Sequence, residues 1–332
     1  MQIGQLKRRE FITLLGGAAA TWPLGADAQQ QAIPVIGFLD SGAAEFYPDR
    51  LAAFRQGLAE VGYVEGKNVA VEFRFAQGRY DQLPTLAAEL ARRPVAVIFA
   101  ATLQAALPAK AATSTIPIVF AIGSDPFEFG LVESFNRPGG NITGIIWLGG
   151  STSAAKRLEL LHEATPAAAT IAVLFNPTNP GAEAEVKVLK ETAPALGVQL
   201  HISDASTARE INAAFATFIQ RRVGAVLVGA DNFFFGRRDQ LIVLTARHGL
   251  PAISIFREFA TGGGLMSYGA NIADAYRHAA VHVGRILKGE RPAVLPVQQA
   301  VKVELVINLN TARALDVSIP ITLLGRADEV IE

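Results

Sequence analysis

The sequence predicts an α/β protein of two similar Rossmann-like lobes, each a parallel sheet flanked by helices. Three observations lead there. From residue 33 onward, short runs rich in Val, Ile and Phe alternate with helical stretches, the rhythm of βαβ units. That rhythm repeats. VAVIFAA at 95–101 and AVLVGAD at 225–231 each follow a helix ending in Arg-Arg, and IPIVFAIG at 116–123 and LPAISIFR at 250–257 come next in their own halves. Finally, 332 residues suffice for two domains of ordinary size.

In the first half, strands are expected at 34–39, 68–73, 95–100, 117–121 and 142–147, because each is a short apolar run bounded by polar, Gly or Pro residues. Helices are expected between them at 50–62, 81–92 and 104–112. The second half repeats the pattern with strands at 170–175, 198–202, 225–228, 252–255 and 264–268, and helices at 182–196, 208–221 and 238–248. A last long helix starts near Ala273. The run RPGGN at 137–141 is a turn whose glycines supply positive φ.

This architecture locates a site before any motif does. Open parallel sheets bind ligands beyond the carboxyl ends of their strands, where helix N-termini also present free N–H groups. The residues there are Asp40-Ser41, Ala101-Thr102 and Gly123-Ser124-Asp125 in the first half. In the second they are Asn176-Pro177, Asp231-Asn232 and Phe256-Arg257. The stretch GADNFFFGRRDQ at 229–240 fits neither a strand nor a helix period, and its three rings directly follow a strand end. Two of them read as core, and Phe233, nearest the strand, is expected to touch ligand. Asp231 has two readings, a helix N-cap and a carboxylate for a ligand ammonium.

Composition and motifs exclude more than they assert. Thirty basic and thirty acidic residues, with no basic stripe, argue against nucleic acid as a partner. There is no GxxxxGK[ST], no GxGxxG after a strand and no GxSxG, so no cofactor, nucleotide or catalytic triad is expected. His278 and His282 stand four apart on one helix, but a third ligand is missing, and they read as a helix face rather than a metal site. Residues 1–28 read as an export signal: Lys7-Arg8-Arg9, an apolar stretch at 11–24, then Ala26-Asp27-Ala28 as a small-x-small cleavage box. Arg8-Arg9-Glu10-Phe11-Ile12 also resembles a twin-arginine address. The absence of cysteine excludes a disulfide framework and a lipidated cysteine at the cut. The expected location is the periplasm, with the signal cleaved near Ala28.

Four long stretches then carry a family resemblance: GLAEVGYVEGKNVAVEFRFAQGRYDQLPTLAAEL, TIPIVFAIGSDPFEFGLVESFNRPGGNITGI, REFATGGGLMSYGANIADAYRHAA and LKGERPAVLPVQQAVKVELVINLNTARALDVSIP. From about Ile33 to Glu332 the chain resembles the ABC-transporter substrate-binding family that includes tryptophan- and tyrosine-binding proteins. The resemblance implies a type I periplasmic-binding-protein fold, with lobes joined by a three-segment hinge and the ligand enclosed between them. Lobe 1 would comprise 32–148 plus about 270–290, and lobe 2 would comprise 149–269 plus about 291–332. Carried over by position, the ligand residues are Ser41, Thr102, Ser124, Asp125, Asn176, Asp231 and the stretch Ser267-Tyr268-Gly269. With the strand-end residues Asn232, Phe233 and Arg257, these make the expected site. Where relatives commonly have a tyrosine near 253–255, this chain reads AISIF.

The implied role is uptake: capture of an amino acid, aromatic or branched, or of a small aromatic carboxylate, by lobe closure, and its delivery to the membrane permease of an ABC transporter. The chain is expected to act as a monomer and to do no catalysis. The rival expectations are an exported α/β enzyme and a periplasmic sensor subunit.

Overall fold

The run VIGFLD forms strand β1, Val35–Asp40, and is buried from Ile36 onward, as a strand covered by helices on both faces must be. A computed structural model describes residues 33–147, 149–300 and 302–332, so the expected export signal lies outside the described residues. After β1 come β2, Ala70–Phe75, β3, Val97–Ala100, β4, Ile118–Ile122, and β5, Ile142–Trp147, all parallel in the order β2-β1-β3-β4-β5. The second half repeats this with β6, Thr170–Phe175, β7, Gln199–Asp204, β8, Ala225–Val228, β9, Ala252–Ser254, and β10, Met266–Ala270, in the order β7-β6-β8-β9-β10. The repeat seen in the sequence is thus a repeat of topology.

The chain passes between the lobes three times, after Trp147, after Ala270 and after Ala300. After the first passage, the helix Gly150–Ala164 buries Ala154, Leu158 and Leu161 against the second sheet. After the second, the helix Ile272–Leu287 returns to the first, packing Tyr276, Ala279 and Val283 among Phe38, Phe54 and Leu58. It crosses the helix Pro48–Glu60 so closely that a Cβ on Gly57 would stand 2.1 Å from the Arg277 carbonyl oxygen. Only glycine permits that approach.

The return to the second lobe comes later than the expected boundary near 291. Leu295 is buried in the first core and its carbonyl accepts from Thr143 Oγ1, while β11, Gln298–Ala300, extends the first sheet alongside β5. Then β12, Val303–Asn308, runs antiparallel to β10, and β13, Glu329–Ile331, lies parallel to β12. The apolar anchor at Leu295 and three further pairings with β5 hold 291–300 in the first lobe.

Each expected strand of the two repeats is present within two residues of its expected ends. The helix Gly150–Ala164, β11, β13 and the short helix Arg257–Thr261 were not expected. The turn at 137–141 has Gly139 and Gly140 at φ 73° and 59°. Among the described residues, no helix is long and apolar enough to cross a membrane.

Candidate functional site

Strand order reverses at β1/β3 in one lobe and at β6/β8 in the other, and residues just beyond both reversals meet around one cavity. Hydrogen bonds span it. Tyr80 Oη donates to Asp231 Oδ1 at 2.8 Å and Asn232 Nδ2 to Ser41 Oγ at 3.1 Å. Between the lobes lies a cavity of about 560 Å³, open space at its mouth included. Thr102, Gln104, Ser124 and Trp147 border it from the first lobe; Asn179, Glu185, Asp231, Asn232 and Phe256 do so from the second.

Asp231 caps the short helix Asn232–Gly236, its Oδ1 accepting from Phe233 N at 2.8 Å. The same oxygen accepts from Asn176 Nδ2 at 3.1 Å as well as from Tyr80. Among the described residues, Oδ2 has only Gln104 Nε2, at 3.5 Å. Burial pushes the carboxyl up to about 6; Asn176, Tyr80 and the Phe233 N–H pull it down, and Glu185 pushes it further up. The strand end beneath is braced from inside the second lobe. There the fully buried Arg157 pairs with Glu185 and donates to the carbonyls of Val228 and Gly150, and Glu185 accepts from Ala230 N.

On the first-lobe side, Asp40 is buried and accepts from Gly42 N at 2.7 Å and Tyr276 Oη at 3.0 Å. Burial raises its carboxyl above the ordinary value, against the pull of those two donors and of Arg50. Arg50 also borders the cavity and is itself buried. Its guanidinium lies over the rings of Phe235, Tyr47 and Phe256 at 4.4, 4.5 and 5.4 Å.

The structure sorts the ten expected site residues into three groups. Thr102, Ser124, Asp231 and Asn232 form part of the cavity wall, and Thr102 also caps the helix Leu103–Ala112 there. Ser41 and Asn176 stand one layer behind, each hydrogen-bonded to a wall residue. The other four lie elsewhere. Asp125 turns back to accept from Phe127 N at 2.8 Å. Arg257 is drawn to Glu304 and Glu329 at 3.0 and 2.5 Å. Tyr268 packs on the second-lobe core. Phe233 is buried beside Phe234 in that core and faces a separate groove next to Phe46 and Gly78.

Phe235 stacks on Tyr47 of the first lobe at 5.2 Å and meets Phe256 edge-on at 4.9 Å. Wall residues that escaped the sequence reading include Arg50, Gln104, Trp147, Asn179, Glu185 and Tyr276, whereas Phe256 was read as a strand-end residue without being placed in the expected site. Gln104 and Trp147 stand at or just after strand ends, the signal that found Thr102. Arg50, Glu185 and Tyr276 lie within helices and carry no such mark. His282 is buried, with its Nε2 3.2 Å from the Pro296 carbonyl, and among the described residues no three His, Cys, Asp or Glu side chains could hold a metal.

Comparison with known proteins agrees with the two-lobed fold. A family model described as ABC transporter substrate binding protein matches residues 47–331. A tyrosine-binding protein of Clostridioides difficile (strain R20291) is 27% identical over 263 residues, covering 79% of this chain and 75% of the relative. Two solved structures superpose with 90% of this chain and 99% of theirs. One is an ABC domain in complex with L-Trp from Streptococcus pneumoniae, 25% identical with a TM-score of 0.82. The other is a conserved domain protein from Vibrio cholerae, 26% identical with a TM-score of 0.83.

Proposed function

The chain belongs to the ABC transporter substrate-binding family, and we propose that the solute it binds is an amino acid with an aromatic side chain, held between the two lobes. The observation that carries this reading is the composition of the cavity wall. Both lobes contribute to it, and it combines the rings of Trp147, Phe256 and Tyr276 with the Asp231 carboxylate and the N-terminus of the helix Leu103–Ala112. Rings match an aromatic side chain, a carboxylate matches an ammonium, and helix N–H groups match a carboxylate. Micromolar affinity needs about −8 kcal/mol, which a few charge-assisted hydrogen bonds and one buried aromatic contact can supply in a desolvated cleft. The relatives that bind tyrosine and L-tryptophan support this choice over a branched side chain.

Capture by closure needs no bond-making step, so the protein works by delivering its solute to the permease of an ABC transporter. The reading of residues 1–28 as an export signal supports a periplasmic mature chain that begins near Gln29. N-terminal sequencing of the periplasmic fraction is expected to start there; recovery of Met1 on membrane-bound material would refute it. The ligand reading is tested by calorimetric titration with L-tryptophan, L-tyrosine, L-leucine and D-allose. Micromolar binding confined to the aromatic amino acids is expected, and heat from the sugar alone would overturn the reading.

A further inference from the structure

We propose that Arg50 is the anchor for a carboxylate on the solute and sets the preference of the site for ligands that carry one. This rests on the cavity between the lobes being the solute site.

The guanidinium is a cation whose hydrogen bonds are not made among the described residues. Arg50 is 4% exposed, yet its guanidinium forms no hydrogen bond with any described residue, and its Nη2 is buried without a partner among them. The nearest carboxylate oxygen in an ion pair with it, Glu258 Oε1, is 3.9 Å away, beyond hydrogen-bond length. Asp40, the other acid that acts on it, is already engaged by Gly42 N and Tyr276 Oη. A buried cation with unmet donors is costly unless something in its surroundings meets them. Attraction to the faces of Tyr47, Phe235 and Phe256 offsets part of that cost and fixes the plane of the group. Rings take only the faces of a guanidinium; its N–H donors point outward in the plane, along the edge. Those donors match a carboxylate bidentately, and the side chain borders the cavity.

The arrangement also gives a reason for opposite charges on opposite lobes. Arg50 belongs to the helix Pro48–Glu60 of the first lobe, and Asp231 follows β8 in the second. A zwitterion can satisfy both only when the lobes are together. An amine without a carboxylate, or an acid without an ammonium, satisfies one lobe alone.

Tryptamine and tyramine, which lack the carboxylate of L-tryptophan and L-tyrosine, test this with no change to the protein. The wild-type protein is expected to bind whichever amino acid it prefers about a hundredfold more tightly than the corresponding amine. In Arg50→Met, which keeps an apolar stem among the three rings, that ratio is expected to fall below about tenfold, with the amine little affected. A ratio unchanged by the substitution would overturn the anchor while leaving the site intact, and so would equal wild-type affinity for acid and amine. No wild-type binding of either pair would overturn the site reading together with the anchor. Near-UV circular dichroism confirms folding of the variant. Should methionine not fold, Arg50→Lys, which keeps the charge and loses the fork, must give an intermediate ratio, and an unchanged one refutes the proposal.

Discussion

Asp231 divides its work between two oxygens. Oδ1 is filled by the cap at Phe233 N, by Asn176 and by Tyr80 from the opposite lobe, whereas among the described residues Oδ2 has only the long contact to Gln104 on the cavity side. The two roles respond differently to Asp231→Asn. Asparagine caps a helix about as well, so folding changes little; an ammonium on Oδ2 loses its counter-charge, and affinity for the amino acid is expected to fall about a hundredfold. Burial raises the carboxyl to about 6, and only the ionised form attracts an ammonium. Affinity is therefore full above that pH and falls roughly tenfold per unit below it. Stability of the ligand-free protein has the opposite sign. The native carboxyl keeps its proton longer than the unfolded one, so its contribution is complete below about 3.8 and is lost as pH rises through 6. Calorimetry between pH 5 and pH 8 checks both wild type and Asn variant. A wild-type affinity that does not change over that window would refute the ammonium role.

At the level of elements, Arg157 joins the start of the helix Gly150–Ala164 to the end of β8 and, through Glu185, to the helix Ala182–Leu196. Arg157→Met leaves the Glu185 carboxylate buried without its cation and is expected to destabilise the second lobe by about 3–5 kcal/mol, read from the urea midpoint. Adding Glu185→Leu removes the stranded charge and is expected to recover much of that loss; no recovery would show that the packing, not the charge, was lost. Neither residue is marked in the sequence, because a polar residue in a helix looks the same whether it faces water or a buried partner. The strands were legible for the opposite reason, as parallel strands buried on both faces are continuous apolar runs. The helix Gly150–Ala164 opens with Gly-Ser-Thr-Ser, residues that favour caps and turns, and three-residue strands such as β11 and β13 are too short to show a period. Strand ends were legible in turn, which is why Thr102, Ser124, Asp231 and Asn232 reach the cavity. The phenylalanine triplet misled because it forms one helical turn. Successive side chains there project about 100° apart, so three adjacent rings cannot share one wall.

For the whole molecule, the question is what holds the lobes together. The interlobe contacts form a line along the cleft: Tyr80 to Asp231, Ser41 to Asn232, and Tyr47 stacked on Phe235. Opening exchanges the hydrogen bonds for bonds to water at small net cost each, and exposes the rings. Protein contacts of this kind favour closure only modestly, and a solute shifts the balance by its differential affinity for the closed form. Because apparent affinity scales with the fraction of protein able to close, weakening the line lowers affinity without touching the solute. Tyr80→Phe removes one donor to a carboxylate, typically worth about 1.5–3 kcal/mol, and is expected to weaken binding of L-tryptophan or L-tyrosine roughly tenfold or more. Its thermal midpoint without ligand should move little, since the bond lies between the lobes rather than within one. Small-angle scattering supplies the independent reading. The wild-type radius of gyration is expected to fall at saturating amino acid, and ligand-free Tyr80→Phe to be the more expanded of the two proteins. A radius that stays constant on saturation, with Tyr80→Phe binding as tightly as wild type, would refute closure as the mode of capture.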